Sequence, residues 1–344
     1  MSPPALMRAV VATASGALRL SRIPRPLASP GQVLLAVAAT AVNRADLLQA
    51  AGRYPPPPGV TPVLGLEAAG TVTGDPPAGC GLACGDRVVA LLQGGGYADV
   101  AAADVGCVLR LPPGWGGDDW AVRGAAIMEA WVAAYQSVLV TAAAAGVGTA
   151  AVQLAAAHFR VPVVIGSAST ASRRAAVTAL GATATVPRPP AAVQPVGTPD
   201  APCAYVNGVR AAAPGGSVDL LLDAVGGGGA WAAHSSLLAP DARWVLYGAL
   251  GGARAAAPAM PAALLARRVS LLATTLRGRP AVYRAGLVAA FGREVLPELA
   301  AFPGEGRLAP VVHTVMELDE VEAAHALVAS NAVVGKVVLR VADA

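Results

Sequence analysis

The sequence predicts an α/β protein. A β-rich part is followed by a doubly wound parallel sheet, and the chain then returns to mixed structure. Three observations carry this. The first third is rich in short apolar runs broken by Gly and Pro, the pattern of a barrel-like, mostly antiparallel domain. From about Ile127 apolar strand-like runs alternate with helical ones, the βαβ rhythm of a parallel sheet. The turn Gly146-Val-Gly148-Thr-Ala-Ala151 stands at the first strand-to-helix junction of that alternation. The boundaries expected are 1–127 for the first part, 128–265 for the parallel sheet and 266–344 for the return.

Each element follows from local chemistry. Residues 8–13 and 32–41 are β-branched or alternating and read as strands. Asn43-Arg-Ala-Asp46 opens a helix, with Asn43 at the N-cap and Asp46 at N3. The run from Pro55 to Pro58 makes a rigid extended loop. Gly70-Thr-Val leads into a strand, Gly85-Asp86 turns into another, and Gly94-Gly-Gly hinges into a third. In the second part, strands are expected at 137–142, 161–166, 218–224 and 243–247. Helices are expected at 147–158 and 171–180. Residues 187–202 are a Pro/Ala-rich surface loop, and 335–341 form the closing strand.

Composition bounds the function. The chain has 344 residues, 55% hydrophobic and 13% charged, enough apolar material for one large or two modest folded domains. Its formal net charge of +4 is carried almost wholly by arginine, with Lys336 the single lysine. Those arginines are scattered rather than striped, which argues against nucleic acid as a partner. The four cysteines, Cys80, Cys84, Cys107 and Cys203, have no second Cys/His pair at ligand spacing. Unpaired thiols in a reducing compartment are expected. No acid precedes Asp46, which resembles a transit peptide in composition. Strands starting near Met7 leave no room for a cleaved leader, so the expectation is a cytoplasmic protein.

Residues 130–157 carry no charge and are long enough to span a membrane. Gln136, Gly146, Gly148 and Gln153 interrupt them, alanine drives insertion weakly, and no basic cluster orients them. A buried α/β core with no membrane partner is expected. Within it, Gly146-Val147-Gly148 fits the dinucleotide pattern G-x-G-x-x-G/A. The first glycine permits the tight turn and the second lets backbone approach a pyrophosphate. Ala151 keeps the helix close to the sheet, and the helix N-terminus offers free N–H groups. A small-residue helix–sheet contact without ligand would need the same residues. An NAD site usually has an acid some 20 residues further on. No Asp or Glu occurs between Glu129 and Asp200; the second strand ends instead in Gly166-Ser-Ala-Ser169-Thr170-Ala-Ser172-Arg173-Arg174. Hydroxyls and guanidiniums suit a 2′-phosphate, so NADPH is the cofactor expected. Taken singly, these residues also make an ordinary helix cap with exposed arginines. The cofactor contacts expected here are Thr141, Ala145, Gly146, Val147, Gly148, Ser167, Ser169, Arg173 and Arg174.

The segments AVNRADLLQAAGRYPPPPG, LGLEAAGTV, GDRVVALLQGGGYADV, AAIMEAW, AGVGTAAVQL, LLLDAVGG, RWVLYGALGG and VGKVVL run in order along nearly the whole chain. In them the sequence resembles the medium-chain dehydrogenase/reductase superfamily, and within it the zinc-free quinone oxidoreductase branch. The resemblance implies a GroES-like β-rich substrate domain drawn from both chain ends, plus a Rossmann domain between them. It also implies NADPH, a homodimer, and hydride transfer from the nicotinamide to a small-molecule quinone. An enone or enoyl substrate is the second enzymatic expectation. A nucleotide-binding, crystallin-like protein without turnover is the third. Asn43 and Tyr54 are implied as the residues facing nicotinamide and substrate, although Asn43 also serves as helix cap and Tyr54 as a loop aromatic on the proline run. Tyr247, Gly248, Leu276, Arg277 and Lys336 are implied as cofactor contacts. Glu67 and Glu129 match family positions and read mainly as structural. Zinc-dependent relatives have His between glycine and glutamate where this chain has Gly65-Leu66-Glu67, so no metal is expected.

Two departures stand out. The family has Gly or Ser before the Gly-Val-Gly, and here it is Ala145, which offers no hydroxyl. The family also has a helix end and a turn before the first strand of the parallel sheet. Here Tyr135 to Thr141 runs through without a turn residue, as a missing segment at Gln136–Ser137 would leave it.

Overall fold

The computed structural model describes residues 5–13, 16–112, 115, 117–129, 140–189, 204–252, 254, 260–300 and 308–342. The Gln136–Ser137 junction, most of the loop at 187–202, and Cys203 lie outside the described residues. The chain divides into two compact units, Met1–Ala133 with Leu276–Ala344, and Ala134–Thr275.

The first unit is β-rich. Strands β1 (Leu6–Ala12) and β2 (Leu18–Pro24) form a hairpin. Strand β3 (Gln32–Ala41) runs into helix α1 (Arg44–Ala50), and β4 (Glu67–Thr73), β5 (Arg87–Leu91), β6 (Val100–Asp104) and β7 (Val108–Arg110) follow. Helix α2 spans Trp120–Ala125. Strand β3 is the hub because both its edges are used: β4 pairs antiparallel along one and β6 antiparallel along the other. Its apolar side chains, with Leu64, Val88 and Tyr97, make the main core of this unit.

The second unit is the parallel sheet. Its centre is held by Val140, a bridge residue. It bridges in parallel to Gly166 on one side and Leu222 on the other. Helix α3 (Gly146–Gln153) follows the glycine turn and ends in a wider π-helical turn, Leu154–His158. Strand β8 (Ile165–Ser167) begins four residues later than periodicity suggests, because Arg160 adopts a positive φ and Pro162 has no N–H to give a ladder. Helix α4 (Ala171–Ala179) and strand β9 (Ala184–Val186) pack beside it. Helix α5 (Ala204–Ala212), β10 (Val218–Asp223), α6 (Ala230–Ser235), β11 (Leu238–Leu246), α7 (Met260–Ala266) and β12 (Ser270–Ala273) complete the unit. The spatial order is β9-β8-Val140-β10-β11-β12, all parallel. The chain therefore winds first to one side of Val140 and then to the other. That position marks the topological switch point, and ligands of such sheets bind at the carboxyl edge there. The fold class expected from the sequence is the one found.

From Leu276 the chain belongs to the first unit again. Helices α8 (Ala281–Glu294) and α9 (Leu296–Ala300) precede β13 (Val312–Glu317), α10 (Val321–Ala329) and β14 (Lys336–Arg340). Strand β14 pairs antiparallel with β3 and parallel with β13. This is how Lys336 comes to lie beside Asn43, far earlier in the chain. No described helix is long and apolar enough to cross a membrane.

Candidate functional site

In the parallel-sheet unit, four strand ends converge. Thr141 follows the Val140 bridge, with its N–H donating to the Leu222 carbonyl at 2.7 Å. Its hydroxyl donates to Asp223 Oδ1 at 3.1 Å and accepts from the Ala224 N–H at 2.8 Å, so the Thr141 side chain is committed to holding the sheet. Ala145 is the N-cap of α3 and supplies no side-chain cap. The N–H groups of the first turn, at Gly146, Val147 and Gly148, therefore have only an outside acceptor to serve. A Cβ at Gly148 would stand 2.3 Å from the Ala142 carbonyl oxygen, so only glycine lets the turn fold this tightly. Ser167, at the end of β8, is buried with its hydroxyl unpartnered among the described residues.

Past β8, Thr170 Oγ1 caps α4 by accepting the Arg173 N–H at 3.2 Å. Ser169 Oγ accepts from the Arg173 guanidinium at 3.1 Å, and Arg174 donates to the Ala168 carbonyl at 3.3 Å. The hydroxyls and arginines read from the sequence thus form one polar group, and it caps the helix as well. Tyr247 and Gly248 follow β11. The Tyr247 N–H donates to the Asp223 carbonyl at 3.0 Å, and a Cβ at Gly248 would crowd the Ala224 carbonyl at 2.7 Å.

Asp223 itself ends β10, fully buried, and sequence reasoning missed it. It accepts from Trp244 Nε1, the Val225 and Gly226 N–H groups and the Thr141 hydroxyl, and pairs with His234 Nδ1 at 3.1 Å. Burial alone would raise its carboxyl, but His234 and the two backbone N–H groups together hold it below the usual carboxylate value. A small cavity of about 20 Å³ beside it is lined by Ser167, His234 and apolar side chains of the core. That is room for a water molecule and not for a dinucleotide.

In the β-rich unit, a polar cluster sits in a largely apolar core. Glu67, wholly buried at the start of β4, pairs with Lys336 Nζ at 2.7 Å. Its Oε1 also accepts from Asn43 Nδ2 at 2.9 Å, and its Oε2 accepts the Glu129 N–H at 3.0 Å. Lys336, 4% exposed, donates in turn to Asn43 Oδ1 at 2.5 Å. The Asn43 side chain therefore serves this cluster, and the start of α1 is secured by Asp46 Oδ2 accepting the Asn43 N–H at 2.8 Å. Asp46 also accepts from the Gly65 N–H and from the Tyr97 hydroxyl. Burial pushes the Asp46 carboxyl up to about 6, against the pull of those backbone bonds and of Lys336. The Glu129 carboxyl goes further, to about 8, through burial and the neighbouring Glu67 charge.

At the edge of this cluster lies Arg277. It is 4% exposed, and its Nε donates to the Gln93 carbonyl at 2.8 Å. Both its amino nitrogens are buried without an acceptor among the described residues. The guanidinium lies 5.3 Å over the Tyr54 ring, and Leu276 beside it is buried. Burial and the Glu129 charge raise the Tyr54 phenol. Of the residues read from the sequence, Asn43, Tyr54, Arg277 and Lys336 are thus brought near one another in this unit. Glu129, which the sequence presents mainly as structural, joins them. Its one signal in the sequence is isolation, since it is the only acid between Asp119 and Asp200.

The described residues contain no group of three or more His, Cys, Asp or Glu side chains able to hold a metal. Cys80, Cys84 and Cys107 are free thiols.

Comparison with known proteins fits this geometry. Residues 29–132 match the alcohol dehydrogenase GroES-like domain, and residues 200–339 match the family described as zinc-binding dehydrogenase. The two units are thus a GroES-like domain and a Rossmann-like NAD(P)-binding domain. The chain belongs to the medium-chain dehydrogenase/reductase superfamily. It is similar to the pikromycin polyketide synthase component PikAII of Streptomyces venezuelae, with 42% identity over 144 residues. That match takes in 38% of this chain and 4% of the synthase, so the chain spans a small part of the curated relatives it matches. Among solved structures it resembles the quinone oxidoreductase of Thermus thermophilus, a structure determined also in complex with NADPH. The TM-score is 0.73 and the identity 29%, covering 97% of this chain and 100% of that one. A mycobacterial protein, Rv1454c, solved in complex with NADPH, gives a TM-score of 0.76 at 25% identity, covering 97% and 100%.

Proposed function

We propose that the protein is an NADPH-dependent, metal-free oxidoreductase that reduces a conjugated carbonyl compound, with a quinone as the acceptor. The observation that carries this is the Gly146–Gly148 turn. It opens α3 at the switch point of a parallel sheet, and hydroxyls and arginines follow β8 where an acid would select NAD. The uncapped first turn of α3 and the close approach allowed at Gly148 fit a pyrophosphate. Ser169, Arg173 and Arg174 fit a 2′-phosphate. The donor set fits zinc poorly, because the polar cluster offers carboxylates, an amide and an ammonium but no imidazole or thiolate, and the described residues hold no group of three His, Cys, Asp or Glu side chains able to take a metal.

Bound NADPH supplies two electrons as hydride. The chain has to bind the acceptor, orient it and return a proton. Arg277 offers two buried N–H-bearing nitrogens to a carbonyl or phosphate oxygen, and the Tyr54 ring offers a flat face to a flat acceptor. Quinones are electrophilic already, so stacking and orientation carry much of the catalysis. The similarity to polyketide synthases favours a second reading, reduction of an enoyl double bond by the same hydride chemistry. The homodimer rests on the family resemblance alone, and the cytoplasmic location on the unpaired cysteines.

One experiment separates the readings: NADPH and NADH titrations beside NADPH oxidation with ortho-quinones, para-quinones and enones. Oxidation with quinones is expected, and oxidation with enones alone would support the second reading. Binding without oxidation of any acceptor would leave a nucleotide-binding protein without turnover, and absence of binding would overturn the cofactor assignment.

A further inference from the structure

Two carboxylates meet in the β-rich unit, and their partners divide them into different kinds. Glu67 is committed: Lys336 and Asn43 hold Oε1, and the Glu129 N–H holds Oε2. Glu129 is joined to that cluster by its backbone alone. Its side-chain oxygens make no hydrogen bond or ion pair with the described residues. It follows the fully buried Ile127 and Met128 and is itself partly buried. The charged and titratable groups around it come from four directions. Glu67 lies on β4, Asp46 on α1, Lys336 on β14, and Arg277 with Tyr54 at the rim.

On these grounds we propose that Glu129 is the proton donor of the reduction, delivering its carboxyl proton to the carbonyl oxygen of the bound acceptor. This rests on the oxidoreductase reading above. After hydride transfer the acceptor carries one added negative charge, localised on that oxygen. The O–H bond of Glu129 breaks, its proton forms the new O–H bond of the hydroquinone or enol, and the electron pair stays on the carboxylate. Solvent then returns a proton to Glu129. Hydride and proton together account for the two electrons and two protons of the reduction.

The competing donor is Tyr54. A general acid works best when its pKa lies near the operating pH. Glu129, held near 8 by burial and by Glu67, meets that condition, whereas the Tyr54 phenol is raised above its ordinary 10. Lys336 is occupied by Glu67 and Asn43.

The test compares wild type, Glu129→Gln, Glu129→Asp and Tyr54→Phe across pH 6 to 10, with quinone as acceptor. Wild-type kcat is expected to fall as pH rises through about 8, the direction required when the protonated form acts. E129Q should lose about 10²- to 10⁴-fold in kcat, with KM little changed, and should lack the alkaline limb. E129D should restore a limb, and Y54F should keep the wild-type one. Infrared spectra of the cofactor-free protein give a readout independent of turnover. A protonated-carboxyl band should disappear near pH 8 in wild type and be missing in E129Q. An E129Q enzyme with wild-type kcat and limb, or a Glu129 already ionised at pH 6, overturns the assignment while the oxidoreductase reading stands. A wild type that turns over no acceptor overturns both.

Discussion

Lys336→Met is the most informative perturbation of the fold around the site. The ammonium lies 2.7 Å from Glu67 Oε1, and both residues are buried. At an effective dielectric of about 20, that separation corresponds to an attraction of about 6 kcal/mol. Removing two ions from water costs several kcal/mol for each, so the intact pair comes close to breaking even. The asymmetry appears when one partner goes. A methionine in place of Lys336 would leave the Glu67 carboxylate buried with only Asn43 and one backbone N–H, a loss of about 3–5 kcal/mol. The double variant K336M/E67Q removes the stranded charge and keeps an amide oxygen for the Glu129 N–H. It should recover all but about 1–2 kcal/mol. Native-state hydrogen exchange of peptides from β3, β4 and β14 reads this unit without mixing in the parallel sheet. K336M should lower their protection about a hundred- to a few-thousand-fold, and the double variant should return most of it. A loss below about tenfold in K336M, or an equal loss in the double variant, would refute the buried-charge reasoning.

Two further outcomes follow from the same geometry. Replacing both Arg173 and Arg174 by alanine should weaken NADPH about ten- to a hundred-fold in a fluorescence titration and leave NADH unchanged, because only the former carries a 2′-phosphate. Equal losses for the two nucleotides would show that the arginines serve the helix alone. The stability of the β-rich unit should also depend on pH with a defined sign. Glu129 binds its proton more tightly folded than unfolded, so its contribution is present at low pH and is lost between the unfolded 4.5 and about 8. Asp46 acts the same way between 3.8 and about 6. His325, lowered by burial from 6.5 to about 4, acts oppositely and offsets Asp46 over much of that range. Between the ordinary histidine value of 6.5 and about 8, only Glu129 is left of these three. The hydrogen-exchange stability of β3 and β4 should therefore decline across that window in wild type and stay level in E129Q, and a decline persisting in E129Q would falsify the linkage.

Much of the parallel-sheet site was legible because its signals are local. The glycine spacing at Gly146 and Gly148, the apolar run before it, and the missing acid after β8 all lie within about one βαβ unit of sequence. Glycine at 148 is forced by contact with a carbonyl only a few residues earlier, at Ala142. The edges of elements were less legible: β8 starts late because of Arg160 and Pro162, and α3 widens into a π turn after Gln153. The Ala145 departure is visible as an uncapped helix start, which leaves the first-turn N–H groups without a hydroxyl competitor.

The sequence by itself determined the two kinds of fold, the position of the glycine turn and the residue types that follow it. Those depend on periodicity and on backbone freedom, which neighbouring residues dictate. Only the tertiary structure decided what the isolated acids do. Glu67, Glu129, Asn43 and Lys336 are spread over most of the chain, and the pairing of β3 with β4 and β14, with the Glu129 N–H on Glu67, brings them together. Whether a carboxylate is paired or protonated depends on burial and on through-space charge, and neither is written in spacing. Two glutamates with the same side chain thus meet different surroundings, Glu67 tied to an ammonium and Glu129 pushed up to about 8 by burial and by the Glu67 charge.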